Sequence, residues 1–289
     1  MLSSRLIRGY VQRGLALSAR MWVMLSLFVL NASAQTDGVT ATEAVAENTR
    51  PFAWSARCEM DANYLWRGLY CGGLSFQAEA DVSYYGFFVN TWWNVGATDW
   101  NWGRRDATGK SITGINPEVD VALGYRYKGL VILFMHMYYF DRYADGQMSR
   151  YFDFNNYPQG GGGVTTEWRI GYRISDKVPL QLLWCTRTFG RDGYIKDGEL
   201  KRAYSTYIEA RYDQPLPYDV TLTGMIGVTP WRSLYTNFEK NFAVVNLSVA
   251  VKKSWQLTDY CAVDIGATLV FNPNSMQPLW NVYTGVSFN

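Results

Sequence analysis

Arg57, Glu59 and Asp61 occupy every second position of one short run, and Glu79 with Asp81, then Glu167, Arg169 and Arg173, repeat the habit. Asp120, Arg126, Arg187, Glu209, Arg211, Lys252 and Asp264 hold matching positions in later runs, most of them flanked by apolar residues. Charges of both signs facing one interior suit two ends. Opposed acidic and basic walls orient water and give a pore its charge selectivity. The same groups, paired with one another, fill and brace a narrow interior. Both readings stay open, with a constriction favoured over a wide channel.

A second place to look for chemistry is NYLWRGLYCGGLSFQ, residues 63–77, where Arg67 follows an aromatic pair and precedes glycines. A phosphate-binding loop would need G-x-x-x-x-G-K-[ST] ahead of a helix, and neither the lysine nor the helix is present. The stretch reads as an outer hairpin, with Arg67 on the interior side at the mouth. There it guards the entrance, pairs with an acid across it, or holds a lipopolysaccharide phosphate. The four cysteines, at 58, 71, 185 and 261, have neither C-x-x-C nor zinc-like spacing. Their parities aim them at different environments, so no disulfide is expected. The single histidine, His136, lies in LVILFMHMYYF, apolar on both parities and about six residues from either end. Lipid and peptide hydrolases of the membrane work near the outer rim, so His136 is read as structural or lumen-lining. No catalytic residue, metal ligand or cofactor site is expected.

What must position these residues is a set of strands. From Trp54 to Trp66 the even positions are apolar or aromatic and the odd ones polar, Leu65 excepted. Strict alternation is the strand signature. A soluble strand runs about five or six residues, whereas one tilted across a bilayer needs about ten. Twelve steps at about 3.3 Å and a tilt near 40° separate Trp54 and Trp66 by about 30 Å along the membrane normal. Trp54, Tyr64 and Trp66 are therefore expected in the aromatic girdles facing lipid. Alternation recurs in twelve segments, near 53–66, 74–84, 86–96, 117–128, 130–141, 164–175, 179–189, 203–213, 219–230, 242–253, 260–271 and 279–288. An even strand number suits a bacterial barrel.

The connections give an independent check. Those at 67–73, 97–116, 142–163, 190–202, 231–241 and 272–278 alternate with shorter ones, and the four longest fall on one side. Long outer loops and short periplasmic turns are the rule for outer-membrane barrels, and a soluble sandwich has no reason to sort loops this way. The fold expected is all-β, a single closed antiparallel transmembrane barrel of about twelve strands. The aromatic and glycine-containing loops at 97–116 and 142–163 suit ligand stacking or simple exposure beside lipopolysaccharide.

The ends agree with export. Four arginines without an acid precede an apolar run at 21–30 and an A-x-A site closing at Ala34, the order of a cleavable signal peptide. Residues 1–34 are read as that signal, 35–52 as a flexible periplasmic lead-in, and 53–289 as the barrel. Losing the signal's four arginines turns a formal +2 into about −2, which gives no reason to invoke nucleic acid. Aromatics are 16% of the chain, and no later apolar run approaches the roughly 18–20 residues of a spanning helix. The last strand, alternating from Trp280 to Phe288, resembles the signal read by the barrel-assembly machinery, with that Phe penultimate instead of final.

Tyr64-Leu65-Trp66-Arg67-Gly68, Ser75-Phe76-Gln77, Ser83-Tyr84-Tyr85-Gly86-Phe87 and Trp92-Trp93 together resemble the TorF-type porin family and its Bacteroidetes relatives. The likeness is concentrated over about residues 60–95. It implies an outer-membrane barrel and a porin role, with no solute or catalytic residue to carry over. A narrow, solute-selective pore of the Gram-negative outer membrane is the leading expectation, in contact with outer-membrane lipid and lipopolysaccharide. A non-conducting barrel with ligand-binding outer loops comes second, and a lipid-modifying enzyme third. N-terminal sequencing of the exported protein is expected to begin at Gln35; a start at Met1 would refute the signal assignment.

Overall fold

The computed structural model describes residues 51–97, 117–141, 146–158 and 162–289. The expected signal (1–34), nearly all of the lead-in and the loop at 98–116 lie outside them. Among the described residues sixteen strands form: β1 Phe52–Asp61, β2 Tyr64–Trp66, β3 Leu69–Gly72, β4 Ser75–Tyr84, β5 Phe87–Gly96, β6 Glu118–Tyr127, β7 Leu130–Tyr139 and β8 Val164–Arg173. They continue with β9 Leu180–Gly190, β10 Gly193–Lys196, β11 Glu199–Arg202, β12 Thr206–Leu216, β13 Val220–Thr229, β14 Ala243–Thr258, β15 Cys261–Asn272 and β16 Gln277–Phe288. Twelve close one antiparallel barrel in the order β1-β16-β15-β14-β13-β12-β9-β8-β7-β6-β5-β4, leaving β2-β3 and β10-β11 as separate hairpins. The seam joins β1 to β16, with Ala56 opposite Phe288 and Asp61 opposite Tyr283. Closure matters because an unpaired strand edge cannot be hydrated inside a bilayer.

The outer surface shows why water is not the solvent of this wall. Trp54, Phe76, Val82, Phe87, Trp93, Leu123, Trp168, Val249 and Leu269 are exposed on outward positions of successive strands. Such a continuous apolar band is the lipid-facing surface of a membrane barrel. At one rim the strands reverse tightly. Tyr85-Gly86 and Lys128-Gly129 both hold positive φ at each residue, the two-residue hairpin geometry that follows strand twist. The described long connections, 190–202 and 231–241, stand at the opposite rim.

Inward glycines make room for inward side chains. A Cβ on Gly124 would overlap the ring of Phe88, one on Gly227 the ring of Tyr207, and one on Gly266 the ring of Tyr283. Each aromatic thereby lies flat across a neighbouring strand, filling space that wall side chains of this barrel do not reach. Gly227→Val displaces Tyr207 from its seat, so the folded band on an unheated gel is expected to unfold several degrees lower than wild type; an unchanged melting temperature would refute the seating argument.

Candidate functional site

Register places Arg57, Glu59, Asp61, Glu79, Asp81, Asp120, Arg126, Glu167, Arg169, Arg173, Arg187, Glu209, Arg211, Lys252 and Asp264 on the inner face, because each shares parity with buried neighbours across the ladder. They do not form two opposed walls. In the half nearer the short turns they pair locally. Arg57 donates from Nε to Glu59 and from Nη1 to Asp264, both at 2.5 Å, and Ser254 donates to the other Asp264 oxygen at 2.6 Å. Lys252 stands within electrostatic reach of the same aspartate. Arg126 forks onto Asp81 at 2.9 and 2.6 Å and lies 3.7 Å over the Phe88 ring. Arg211 pairs with Asp213 at 3.0 Å, Gln181 and Thr223 also donating to that carboxylate. Asn90 donates to Glu79; nearer the long loops, Asn281 donates to Asp61 and Tyr207 to Glu209. Arg173 reaches Asp176 in the adjoining turn at 3.5 Å.

The half nearer the long loops is closed by chain, and here one sequence expectation is corrected. The first strand does not continue to Trp66. It ends at Asp61, and β2-β3 turns into the barrel as an inward hairpin with Arg67 and Gly68 at its tip, both at positive φ. Tyr64 and Trp66 therefore do not sit in a lipid girdle, unlike Trp54, which is half exposed on the outward face. Tyr64 is buried, its hydroxyl donating to Glu118 at 2.9 Å and its ring 5.8 Å from Trp92. Trp66 stacks on Tyr235 at 5.5 Å. The bend is fixed by amides: Asn63 donates from its backbone to Asn281 and from its side chain to the Trp280 carbonyl. Alternation in this stretch thus reflects two environments, a lipid-facing strand followed by a buried hairpin.

Arg67 carries the hairpin's strongest contact. Its two terminal nitrogens donate to both oxygens of Glu167 at 2.7 and 2.8 Å, with further bonds to the Tyr235 hydroxyl at 2.8 Å and Cys185 Sγ at 2.9 Å. Arg169 donates to the same glutamate at 2.6 Å. The guanidinium also lies 4.6 Å from the Trp66 ring and 5.1 Å from that of Tyr207. Both side chains of the Arg67–Glu167 pair are at most 1% exposed. Planar, bidentate pairing of this kind fixes geometry as well as charge. Gly68 allows the tip to meet the wall, since a Cβ there would overlap the Val245 carbonyl oxygen, and Asn272 donates to the Gly68 carbonyl at 3.0 Å. A short 3-10 turn, Leu234–Thr236, descends beside the hairpin, so that Cys185, Tyr207, Leu234, Tyr235, Ala243 and Val245 form an apolar cluster inside the barrel.

His136 is also relocated. It stands opposite Val121 and Thr166, outward, and does not line the interior. Residues 146–158 fold back over this outer wall: Tyr151 lies 4.5 Å from the imidazole, its carbonyl 2.9 Å from His136 Nε2, and Tyr138 donates to the Ser149 carbonyl at 2.7 Å. Phe152 and Phe154 complete an aromatic cover. The inward residues of the same strand, Val131, Leu133, Met135 and Met137, pack with Phe88 and Ala122 into a second interior apolar cluster. No group of three or more His, Cys, Asp or Glu placed to hold a metal occurs among the described residues.

Sequence reasoning passed over Glu118, Thr165, Cys185, Tyr207 and Tyr235. Glu118 and Tyr207 were legible as inward by parity; Tyr235, in an irregular loop, carries no periodic signal.

No family model matches the chain, and no curated protein matches it, so the TorF-type resemblance rests on the residues quoted for it. Among solved structures, an outer-membrane channel from Pseudomonas putida F1 is similar at 9% identity and a TM-score of 0.44, covering 89% of this chain and 99% of its own. The NanC porin is similar at 11% identity and a TM-score of 0.42 over 82% of this chain and all of its own. The KdgM porin, solved in complex with a disordered oligogalacturonate, is similar at 10% identity and a TM-score of 0.41, over 82% of this chain and 98% of its own.

Removing Arg67 leaves the buried Glu167 with Arg169 in place of two guanidinium partners, and removing Glu167 takes the carboxylate from Arg67. Arg67→Ala is expected to cost about 3–5 kcal/mol in urea unfolding of the barrel, with the Arg67→Ala/Glu167→Ala double variant destabilised by less than the sum of the two single variants. Strictly additive losses would mean that the pair does not hold the hairpin.

Proposed function

We propose that the chain is a narrow pore of the Gram-negative outer membrane, closed toward the outside by its own first hairpin. The short turns then face the periplasm, and the apolar band and its flanking aromatics meet outer-membrane lipid and lipopolysaccharide. The final strand, β16, is the segment offered to the barrel-assembly machinery. The observation that carries the reading is the way the hairpin is attached. β2 and β3 pair only with each other, not with any strand of the wall. The plug is held chiefly by side-chain contacts, above all Arg67 on Glu167, so it can leave without breaking the barrel's ladder. Beneath it the interior is wetter: the side chains of Arg57 and Arg211 are 26% and 16% exposed, against 1% for Arg67. A charged, partly hydrated vestibule beneath a displaceable plug suits a gated, selective diffusion pore better than a permanently open one. Catalysis has no part in this reading.

Planar-bilayer recording tests it. Wild type is expected to give rare, small openings, and the Arg67→Ala/Glu167→Ala double variant is expected to raise mean conductance several-fold. If neither carries current, the pore reading fails and the second one takes its place: a sealed barrel whose outer loops bind a partner, favoured by the apolar packing around Tyr207, Leu234 and Tyr235.

A further inference from the structure

Several inner-wall side chains leave a buried polar atom unbonded among the described residues, and three of them concern one region. Asp120 on β6, Thr165 on β8 and Arg187 on β9 are each more than nine-tenths buried. Asp120 Oδ1, Thr165 Oγ1 and Arg187 Nε are buried and make no hydrogen bond. Register brings them together. Asp120 stands opposite Met137, and Met137 opposite Thr165, so the carboxylate and the hydroxyl share one row across the wall. Arg187 stands opposite Glu167 in the next inward row, but that glutamate is already taken by Arg67 and Arg169. Asp120 is within electrostatic reach of the acids Glu118 and Glu167 and of Arg169 and Arg187, and it closes an ion pair with neither arginine. Other acids, Glu167 and Asp192, also act on Arg187 from a distance.

The hairpin roofs this region. Trp66 lies 5.4 Å from the Arg187 guanidinium, and Trp92, opposite Asp120 in register, lies against Tyr64. Leaving a buried charge unpaired is costly, and a ligand of single charge would settle only one of the two. A molecule carrying both signs a few ångströms apart settles both. We propose that Asp120, Thr165 and Arg187 form a site for a small zwitterion of the α-amino-acid type, its ammonium on Asp120 and its carboxylate on the Arg187 fork. Thr165 bonds the ligand from the side, and Met137 and Trp66 bound its apolar part. As the solute class of the pore proposed above, this rests on that reading; as a binding site it is measured independently of it.

The test is isothermal titration calorimetry on the purified, folded full barrel, with L-alanine, L-serine and L-methionine as probes. Acetate and ethylammonium present one charge each, and glycine betaine presents both charges without an N–H donor. At least one amino acid is expected to give saturable binding, with each singly charged probe and betaine at least tenfold weaker. Asp120→Asn and Arg187→Gln are each expected to weaken binding at least tenfold. The proposal is overturned if no amino acid binds saturably, if acetate binds as well as the amino acids, or if folded Asp120→Asn binds like wild type. Should either variant fail to show the heat-modifiable migration of a folded barrel, the wild-type probe panel alone decides. A barrel that carries current but binds no amino acid loses this site and keeps the pore, and one that binds but never conducts does the reverse.

Discussion

Glu167 is a carboxylate with none of its surface open to solvent, and much of the barrel's closed half follows from what such a group requires. An isolated buried anion is strongly unfavourable, so cations must be delivered to it. Arg169, two residues along the same strand, reaches one oxygen; Arg67, one hundred residues away in sequence, reaches both. That second delivery demands a hairpin bent inward, a glycine at its tip, and aromatic neighbours on which the guanidinium lies. Cys185, Tyr207 and Tyr235 are arranged around the same guanidinium. One acid on the wall thus specifies where a separate piece of chain must sit.

The interior is divided accordingly. Toward the short turns, charges meet near neighbours such as Arg126 and Asp81 and keep partial contact with water. Toward the long loops, apolar and aromatic groups dominate. Twelve strands enclose more space than wall side chains alone fill, though less than the open channels of larger barrels. Inserted chain makes up the difference on one side, and the methionine-rich inner face of β7 on the other. Flexible, unbranched methionines fit an irregular space between rings and guanidinium groups.

Period-two alternation made the barrel legible: the twelve wall strands, their tight turns and the inward parity of charges such as Asp81 and Arg126 could all be taken from residue order. What parity cannot express is whether an alternating stretch belongs to the wall. Tyr64 and Trp66 continue the pattern of β1 with Leu65 its one break, yet the chain leaves the sheet before them, a choice made by partners at Asn281 and Glu118 far along the sequence. The lumen-lining alternative for His136 fails for a related reason. Its strand is apolar on both faces, so alternation gives no sense of in or out, and only the ladder to Val121 and Thr166 settles it. The pairing of individual charges was equally beyond reach, since Arg57 finds Asp264 only once the barrel is closed.

The hairpin's position in the chain has a kinetic consequence. β2-β3 follows directly on the strand that must join the last one, β16, to seal the wall. Its anchor, Glu167, belongs to a strand made long afterwards, and the Val245 carbonyl against which its tip lodges comes later still. Loops spanning most of the sequence must therefore close before these contacts reward the chain, the condition for slow, late-committing folding. Because the tip touches several wall strands at once, a correctly lodged hairpin also reports that those strands have found their register. Seating of the hairpin thus depends on the pairing of those strands, while the wall's own ladder does not depend on the hairpin.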